Sequence, residues 1–415
     1  MPGGFIRNQN GFEESVMNKL TQYVKRLGLV HRVYSSMSAK TLEAKQLLLG
    51  CENGLNPNGY TQVMGDLLWT STLIQDSPHV RFLSEFARHG ESFFKNGRLE
   101  MSGYYQNALK NIELFSHYYE AKSKDQVVEK MRRFAGRLKG DETLNASGAS
   151  KQWFSVRPVR DSKYFQIMDN HHDIALAYVR GQRSFKVRVG RTKAQTALQE
   201  LLGRVLWFQG NRELYQPIDG PEIRDTWVLT RKCSDRLLKM QDFLRQNGMT
   251  ENLSYLDIGS FYGWFVHKMT EFGLDGHGVE LDPIAASVGY GCYRLSPSRI
   301  HVKDTSIWLR SPDKTYDVVS CLSVLHHFVF GSQRISAEEF IRLLARATGK
   351  VLFLDTGEEH ESWFNGQLNG WNPDFIEQWV LAHTDFKRAH RLGTDEDARP
   401  PHANDYGRTL FAFVR

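Results

Sequence analysis

Cysteine is scarce in this chain. The four residues, Cys51, Cys233, Cys292 and Cys321, lie far apart and form no CxxC pair. That spacing argues against both a disulfide framework and a zinc–thiolate site. Cys292 and Cys321 sit among apolar or small residues, so inert core thiols are expected there. No apolar run approaches the ~20 residues of a membrane-spanning helix. The stretch Met1 to Gly11 lacks the basic-then-apolar pattern of a secretory signal, and a cytosolic placement is expected. Charge of one sign is missing too. Fifty-three basic and 47 acidic residues leave a net charge of only +6. The excess is diffuse and no basic–aromatic cluster stands out, so an anionic substrate is permitted and no nucleic-acid partner is expected. There is no internal repeat and no low-complexity tract.

What is present is an ordinary globular composition, 41% hydrophobic and 24% charged, over 415 residues. At roughly 100–200 residues per domain this is enough for two or three domains. The first, residues 1–140, reads as helical. Val16, Leu20, Val24 and Leu27 form one stripe within Glu13–Val33, and helical spacing recurs over Thr61–Gln75, Val80–Phe94, Tyr104–Ala121 and Gln126–Leu138. The polar stretch Gly140–Ser150 is a domain boundary.

Residues 151–215 change character. Strands are expected at Phe154–Pro158, Tyr164–Met168 and Phe185–Val189, with helices at Asp173–Arg180 and Ala194–Gln209. The order strand, Asp169-Asn170-His171-His172-Asp173 turn, helix resembles the ParB/sulfiredoxin-like fold, whose signature turn is Asp-Gly-His-His-Arg. Asparagine stands here in place of the glycine, and aspartate in place of the phosphate-contacting arginine. A carboxylate there repels phosphate. The expectation is therefore a degenerate ParB-like module that serves as scaffold or docking surface, with His171 and His172 satisfied structurally.

A helix over Trp227–Asn247 leads into a third region, 225–415, where strands and helices alternate. Strands are expected at Ser254–Gly259, Gly276–Glu280, Arg299–Asp304, Asp317–Leu322 and Lys350–Asp355, with a helix at Ala337–Ala347 among the helical stretches between them. The alternation implies a parallel sheet covered on both faces. The first strand runs into Asp257-Ile258-Gly259-Ser260-Phe261-Tyr262-Gly263, a tight turn opening a helix. Glycine at 259 and 263 lets the main chain approach a ligand. About 20 residues on, Glu280 ends the second strand, the place of a ribose-binding carboxylate. A dinucleotide-binding loop normally carries a third glycine for the pyrophosphate; here Phe261, Tyr262 and Trp264 occupy that space.

This order resembles the class I methyltransferases that use S-adenosylmethionine (SAM). The resemblance implies an α/β fold with a Rossmann-like domain at the C-terminus. It places Asp257, Gly259 and Gly263 around the methionine part of SAM, Glu280 at the ribose, and Asp304 with Thr305 beside the adenine, and it adds Ser260, Tyr262, Leu281 and Leu322 to the cofactor-binding residues. S-adenosylhomocysteine (SAH) is the implied product. Leu322-Ser323-Val324-Leu325-His326-His327-Phe328, Val351–Glu359 and Gly407–Phe413 are similar to bacterial methyltransferases that terminate O-antigen polysaccharide chains. No kinase portion follows Arg415, so a sugar hydroxyl, rather than a terminal phosphate, is the expected acceptor.

Removing a hydroxyl proton during methyl transfer calls for a base, and imidazole titrates near neutrality. His326 and His327, after the fourth strand, are the leading candidates. Glu359 and His360, in the acidic loop Asp355–Glu361, could bind sugar hydroxyls or a divalent metal, or that loop could simply be solvated. Trp363, Trp371 and Trp379 could stack on sugar rings or fill a core. His402 and Arg408 are further candidates for an anionic glycan, with solvent exposure as the alternative for Arg408. The expected partners are a glycan or glycolipid acceptor and glycan-assembly proteins at the inner membrane, with a cytoplasmic or peripheral location. Methylation of a small secondary metabolite and a non-catalytic SAM-binding scaffold remain open, with RNA methylation below them.

Overall fold

A computed structural model describes residues 38–50, 71–95, 97–140, 153–205, 212–331, 333–400, 403 and 406–415. The helix expected over Glu13–Val33, most of Thr61–Gln75, Cys51 and His402 lie outside these residues. The chain divides into two units. Described residues up to Gly50 join Thr72–Gln195 in the first, and Ser71 joins Thr196–Arg415 in the second.

The first unit holds a five-stranded sheet in the order β1-β5-β3-β4-β2. Its strands are β1 (Ser38–Glu43), β2 (Leu47–Leu48), β3 (Phe154–Pro158), β4 (Phe165–Ile167) and β5 (Ser184–Val189). The helices Pro78–His89, Gly103–Phe115 and Lys124–Gly136 supply a core of Phe82, Phe86, Tyr104, Met131 and Phe134. The helix expected over Val80–Phe94 stops at Gly90, whose positive φ of 57° ends it. The one expected to reach Ala121 stops at Phe115 for the same reason, with Ser116 at φ 66°. Asn170, at φ 57°, makes the turn into the helix His171–Val179, a conformation asparagine tolerates. Arg137, just past the end of the third of these helices, pairs with Asp173 at 2.5 Å. Strand β1 pairs with β5 along its whole length, so segments on either side of the polar stretch build one unit.

The middle region also ends earlier than residue 215. The helix Ala197–Leu202 turns Ala197, Leu198, Leu201 and Leu202 into a cluster with Tyr262, Ala285 and Val288 of the second unit. Burial of that apolar stripe assigns it there. A two-stranded ladder follows, β6 (Glu213–Leu214) with β7 (Val228–Leu229). The expected helix over Trp227–Asn247 is thus a short strand and then a helix, Ser234–Gln246.

The second unit is built on a seven-stranded sheet in the order β10-β9-β8-β11-β12-β14-β13. The strands are β8 (Ser254–Ile258), β9 (Asp275–Glu280), β10 (Ile300–Val302), β11 (Tyr316–Leu322), β12 (Thr348–Asp355), β13 (Arg388–Thr394) and β14 (Thr409–Val414). The first five are parallel, and β14 runs antiparallel to both neighbours. Alternate residues serve opposite faces. Val318, Leu322, Val351 and Phe353 pack with Leu237, Met240 and Phe265 on one side. Val319, Cys321, Leu352 and Leu354 pack with Phe340, Leu344 and Ile376 on the other. This is the covered parallel sheet that the alternation predicts. From β8 the chain steps outward to β9 and β10, then crosses back to β11 on the other side of β8. Ligands of open α/β sheets bind at such a reversal, outside the carboxyl ends of the strands.

Candidate active site

The reversal leaves a crevice between the ends of β8 and β11. On its β8 side the turn holds three left-handed residues, Gly259 (φ 70°), Phe261 (φ 53°) and Gly263 (φ 77°). A Cβ on Gly259 would lie 2.6 Å from Val324 Cγ2, so the loop is both twisted and closely approached. Glu280, at the end of β9, holds the loop: Oε2 accepts from the Phe261 amide at 2.7 Å and Oε1 from the Asp282 amide at 2.8 Å. Asp257 is buried and accepts from the Ser320 hydroxyl at 2.6 Å. Burial raises the carboxyl groups of both, that of Asp257 to about 7. Asp304 ends the next strand connection and caps the helix Thr305–Arg310 by accepting from the Ile307 amide at 3.1 Å.

The side chains of two of the expected cofactor residues are buried within the unit. Tyr262 is fully buried in the cluster with Ala285 and Val288. Ser260 is also fully buried, and its Oγ points beneath the loop, 2.6 Å from where a Cβ on Gly278 would stand. In contrast, Leu281 and Ile307 are 60% and 50% exposed, one after β9 and the other after β10. Exposed aliphatic side chains at adjacent strand ends, a buried glutamate with lone pairs to spare, and a loop without lysine or arginine suit an adenosine bearing a cationic amino-acid tail. They do not suit a pyrophosphate.

The β11 side is built differently. Ser323 follows β11 at φ 62° and is a hub. Its Oγ is reached by Tyr215 Oη at 2.7 Å, Arg408 Nη1 at 2.7 Å and Arg231 Nη1 at 2.9 Å, and it donates to Asp355 Oδ1 at 3.0 Å. Arg231 pairs with Asp395, and Arg236 Nη1 lies 2.9 Å from Asp355. Arg408 grips Glu361 with two bonds, of 2.8 and 2.7 Å. Burial opposes the Asp355 charge, but Arg236, Arg231 and Arg408 outweigh it and hold the carboxyl below the usual range.

This corrects two expectations. Arg408 is buried rather than solvent-facing, and its guanidinium is engaged internally. The loop after β12 is solvated only in part: Asp355, Glu358 and Glu361 are buried, while Glu359 and His360 are exposed. Among the described residues no group of three or more His, Cys, Asp or Glu is arranged to hold a metal ion.

The expected histidines divide into distinct roles. His326 is buried, and its Nδ1 accepts from the Gly357 amide at 3.1 Å. Burial, Arg408 and His327 push its pKa well below the ordinary value. The neutral ring therefore carries its proton on Nε2 and is a donor, not a base. His327, half-buried and 4.4 Å away between ring centres, is also held neutral, by burial and then Arg408. His360 donates from Nε2 to the Tyr406 carbonyl at 3.2 Å, with Nδ1 3.5 Å from Glu358. Glu359 accepts from the Gly370 amide at 3.0 Å.

An arc of rings joins the two sides. It runs from Phe261 to Tyr215 (6.2 Å), Tyr406 (6.4 Å), Trp363 (4.8 Å), Phe364 (5.9 Å) and then His326 (5.1 Å). Phe261, Tyr215, Trp363 and Phe364 remain partly exposed. Tyr215, Arg231, Ser323 and Phe364 were not singled out from the sequence. Trp371 and Trp379 pack against the sheet core instead.

Comparison with known proteins bears on the same region. The family model described as a methyltransferase domain matches residues 228–393. Among solved structures, the bifunctional kinase–methyltransferase WbdD is 19% identical with a TM-score of 0.41, covering 52% of this chain and 46% of its own. Magnesium protoporphyrin IX methyltransferase from Synechocystis PCC 6803 with bound SAM is 18% identical with a TM-score of 0.32, covering 44% of this chain and 79% of its own. This chain thus spans less than half the length of the WbdD structure it matches. No curated protein matches the sequence. The C-terminal region of this chain, around β8 to β13, is a methyltransferase domain with a Rossmann-like α/β fold.

Proposed function

We propose that the chain transfers a methyl group from SAM to a hydroxyl of a sugar in a bacterial surface polysaccharide or a related glycoconjugate. The observation that carries the reading is the partly exposed aromatic arc, which starts at the glycine loop and ends at the histidine pair. Ring faces of this kind suit the C–H faces of a sugar. When bound, SAM supplies an electrophilic methyl group on sulfur. Glu280 would hold the ribose hydroxyls, Leu281 and Ile307 would cover the adenine, and Asp257 would meet the tail's positive charge. His327, neutral at physiological pH, takes the proton of the attacking hydroxyl. His326 donates from Nε2 and orients the acceptor. Much of the rate comes from holding acceptor and methyl in line.

The acceptor is a glycan or glycolipid met at the inner membrane, where assembly proteins supply it. The reading takes this association as peripheral; no described helix is long and apolar enough to cross a membrane. The ParB-like module then serves docking. Incubation of the full chain with methyl-labelled SAM and a panel of lipid-linked and free glycans tests the reading. Label in a sugar O-methyl group is expected. Transfer only to a non-glycan acceptor contradicts it.

A further inference from the structure

We propose that the short strap Tyr215–Pro217, which precedes the matched methyltransferase span, is a working part of the cofactor site, with Gln216 as the positioning residue that holds the glycine loop in its binding shape. The proposal rests on the reading of that loop as the SAM cradle.

The loop is expensive to form. Left-handed residues at 259, 261 and 263 include a phenylalanine, whose Cβ disfavours that conformation. The helix that follows begins at Trp264 with Gly263 as its N-cap, and glycine has no side chain to satisfy the first amides. Gln216 supplies what is missing from 48 residues away. Its Oε1 accepts from the Trp264 amide at 3.2 Å, and its Nε2 donates to the Ser260 carbonyl at 3.2 Å. One buried side-chain amide thus bridges the two ends of the turn. The strap is itself tied on both sides. Tyr215 donates to Ser323 at 2.7 Å, and the Pro217 carbonyl accepts from Tyr293 Oη. Gln216 touches no substrate in this arrangement; it acts through the loop. Tyr215, one residue earlier, faces the acceptor side.

The test uses the full chain and SAH as the probe. Calorimetric titration compares the wild type with Gln216→Met and Gln216→Ala. Methionine keeps the volume of glutamine and makes neither bond. Two lost hydrogen bonds predict roughly tenfold weaker SAH binding in both Gln216 variants. Hydrogen exchange of the peptide spanning 259–266 supplies a local readout. It is expected to quicken in free Gln216→Met and to slow again on saturation with SAH, while exchange in the sheet core stays as in wild type. If Gln216→Met binds SAH as tightly as wild type, or leaves loop exchange unchanged, this proposal is overturned alone. If wild type itself does not bind SAH, it falls together with the cofactor reading.

Discussion

The two sides of the crevice are held by different kinds of contact. On the cofactor side most holding bonds are short-range: Glu280 to Phe261 spans 19 residues, Glu280 to Asp282 spans two and Asp304 to Ile307 spans three, with Gln216 and Ser320 reaching in from further away. On the acceptor side they are distant: Arg231 to Asp395 spans 164 residues, Tyr215 to Ser323 spans 108, and Arg408 to Ser323 spans 85. The first side leaves apolar side chains in solvent for a ligand to cover. The second buries its charges in mutual pairs. A cofactor site built largely of turns and short reaches is mostly set by nearby sequence, with Gln216 as a distant brace, whereas the acceptor site exists only once the whole domain has closed. Substitutions on the two sides should therefore separate into losses of SAH affinity and losses of turnover or stability.

The largest effect is expected for His327→Gln. Removing the base lowers turnover about 10²–10⁴-fold with SAH binding intact, measured by steady-state transfer of labelled methyl. An equal loss of SAH affinity would erase the distinction between the two sides. Arg408→Ala comes next. It strands Glu361 and unbalances Asp355, and breaking a buried pair costs about 3–5 kcal/mol, roughly 10 °C in the melting temperature of a domain this size. Thermal unfolding followed by circular dichroism checks this. A shift under about 2 °C would mean that the network contributes little. Glu280→Ala takes the anchor from the loop and the acceptor from the ribose, with about 2 kcal/mol or roughly thirtyfold weaker SAH binding expected by calorimetry.

A smaller effect is a pH dependence. Burial raises Asp257 to about 7. The free carboxyl is thus increasingly protonated below that pH, while a cationic ligand favours its ionised form. SAM affinity should fall as pH drops from 8 to 6, by at most about tenfold per unit, and Asp257→Asn should flatten the profile. Affinity that rises on acidification has the wrong sign for this role. Least of all, Leu281→Ser should weaken SAH by no more than about 1 kcal/mol, since one exposed aliphatic face is lost. A loss as large as that of Glu280→Ala would give Leu281 more than a covering role.

The same division explains what was legible in the sequence. Strands β8, β11 and β12 fall within two residues of their expected bounds because buried parallel strands write themselves as apolar runs, and β9, a polar and glycine-containing strand, is found through the acid that ends it. The glycine turn and the acids at 280 and 304 follow those runs directly. Strands β1 and β13 were not legible. Both are edges, β1 with only Leu42 buried and β13 with none of its residues buried, so neither carries a hydrophobic signature. Ser260 and Tyr262 lie in the right loop, but a sequence cannot say which way a twisted turn aims its side chains. Arg408 reads like a solvated residue before a strand, and its burial depends on Glu361 and Ser323 arriving from elsewhere. Tyr215 and Gln216 precede the region where strand–helix rhythm begins, and nothing local marks them.

The central claim is that the ends of β8 to β10 form a SAM site. Calorimetric titration of the full chain with SAH, alone and in the presence of excess NAD⁺, tests it most directly. The account predicts one saturable SAH site per chain, weakened by Glu280→Ala, untouched by His327→Gln and indifferent to NAD⁺. Absence of saturable SAH binding, or displacement of SAH by NAD⁺, would contradict it.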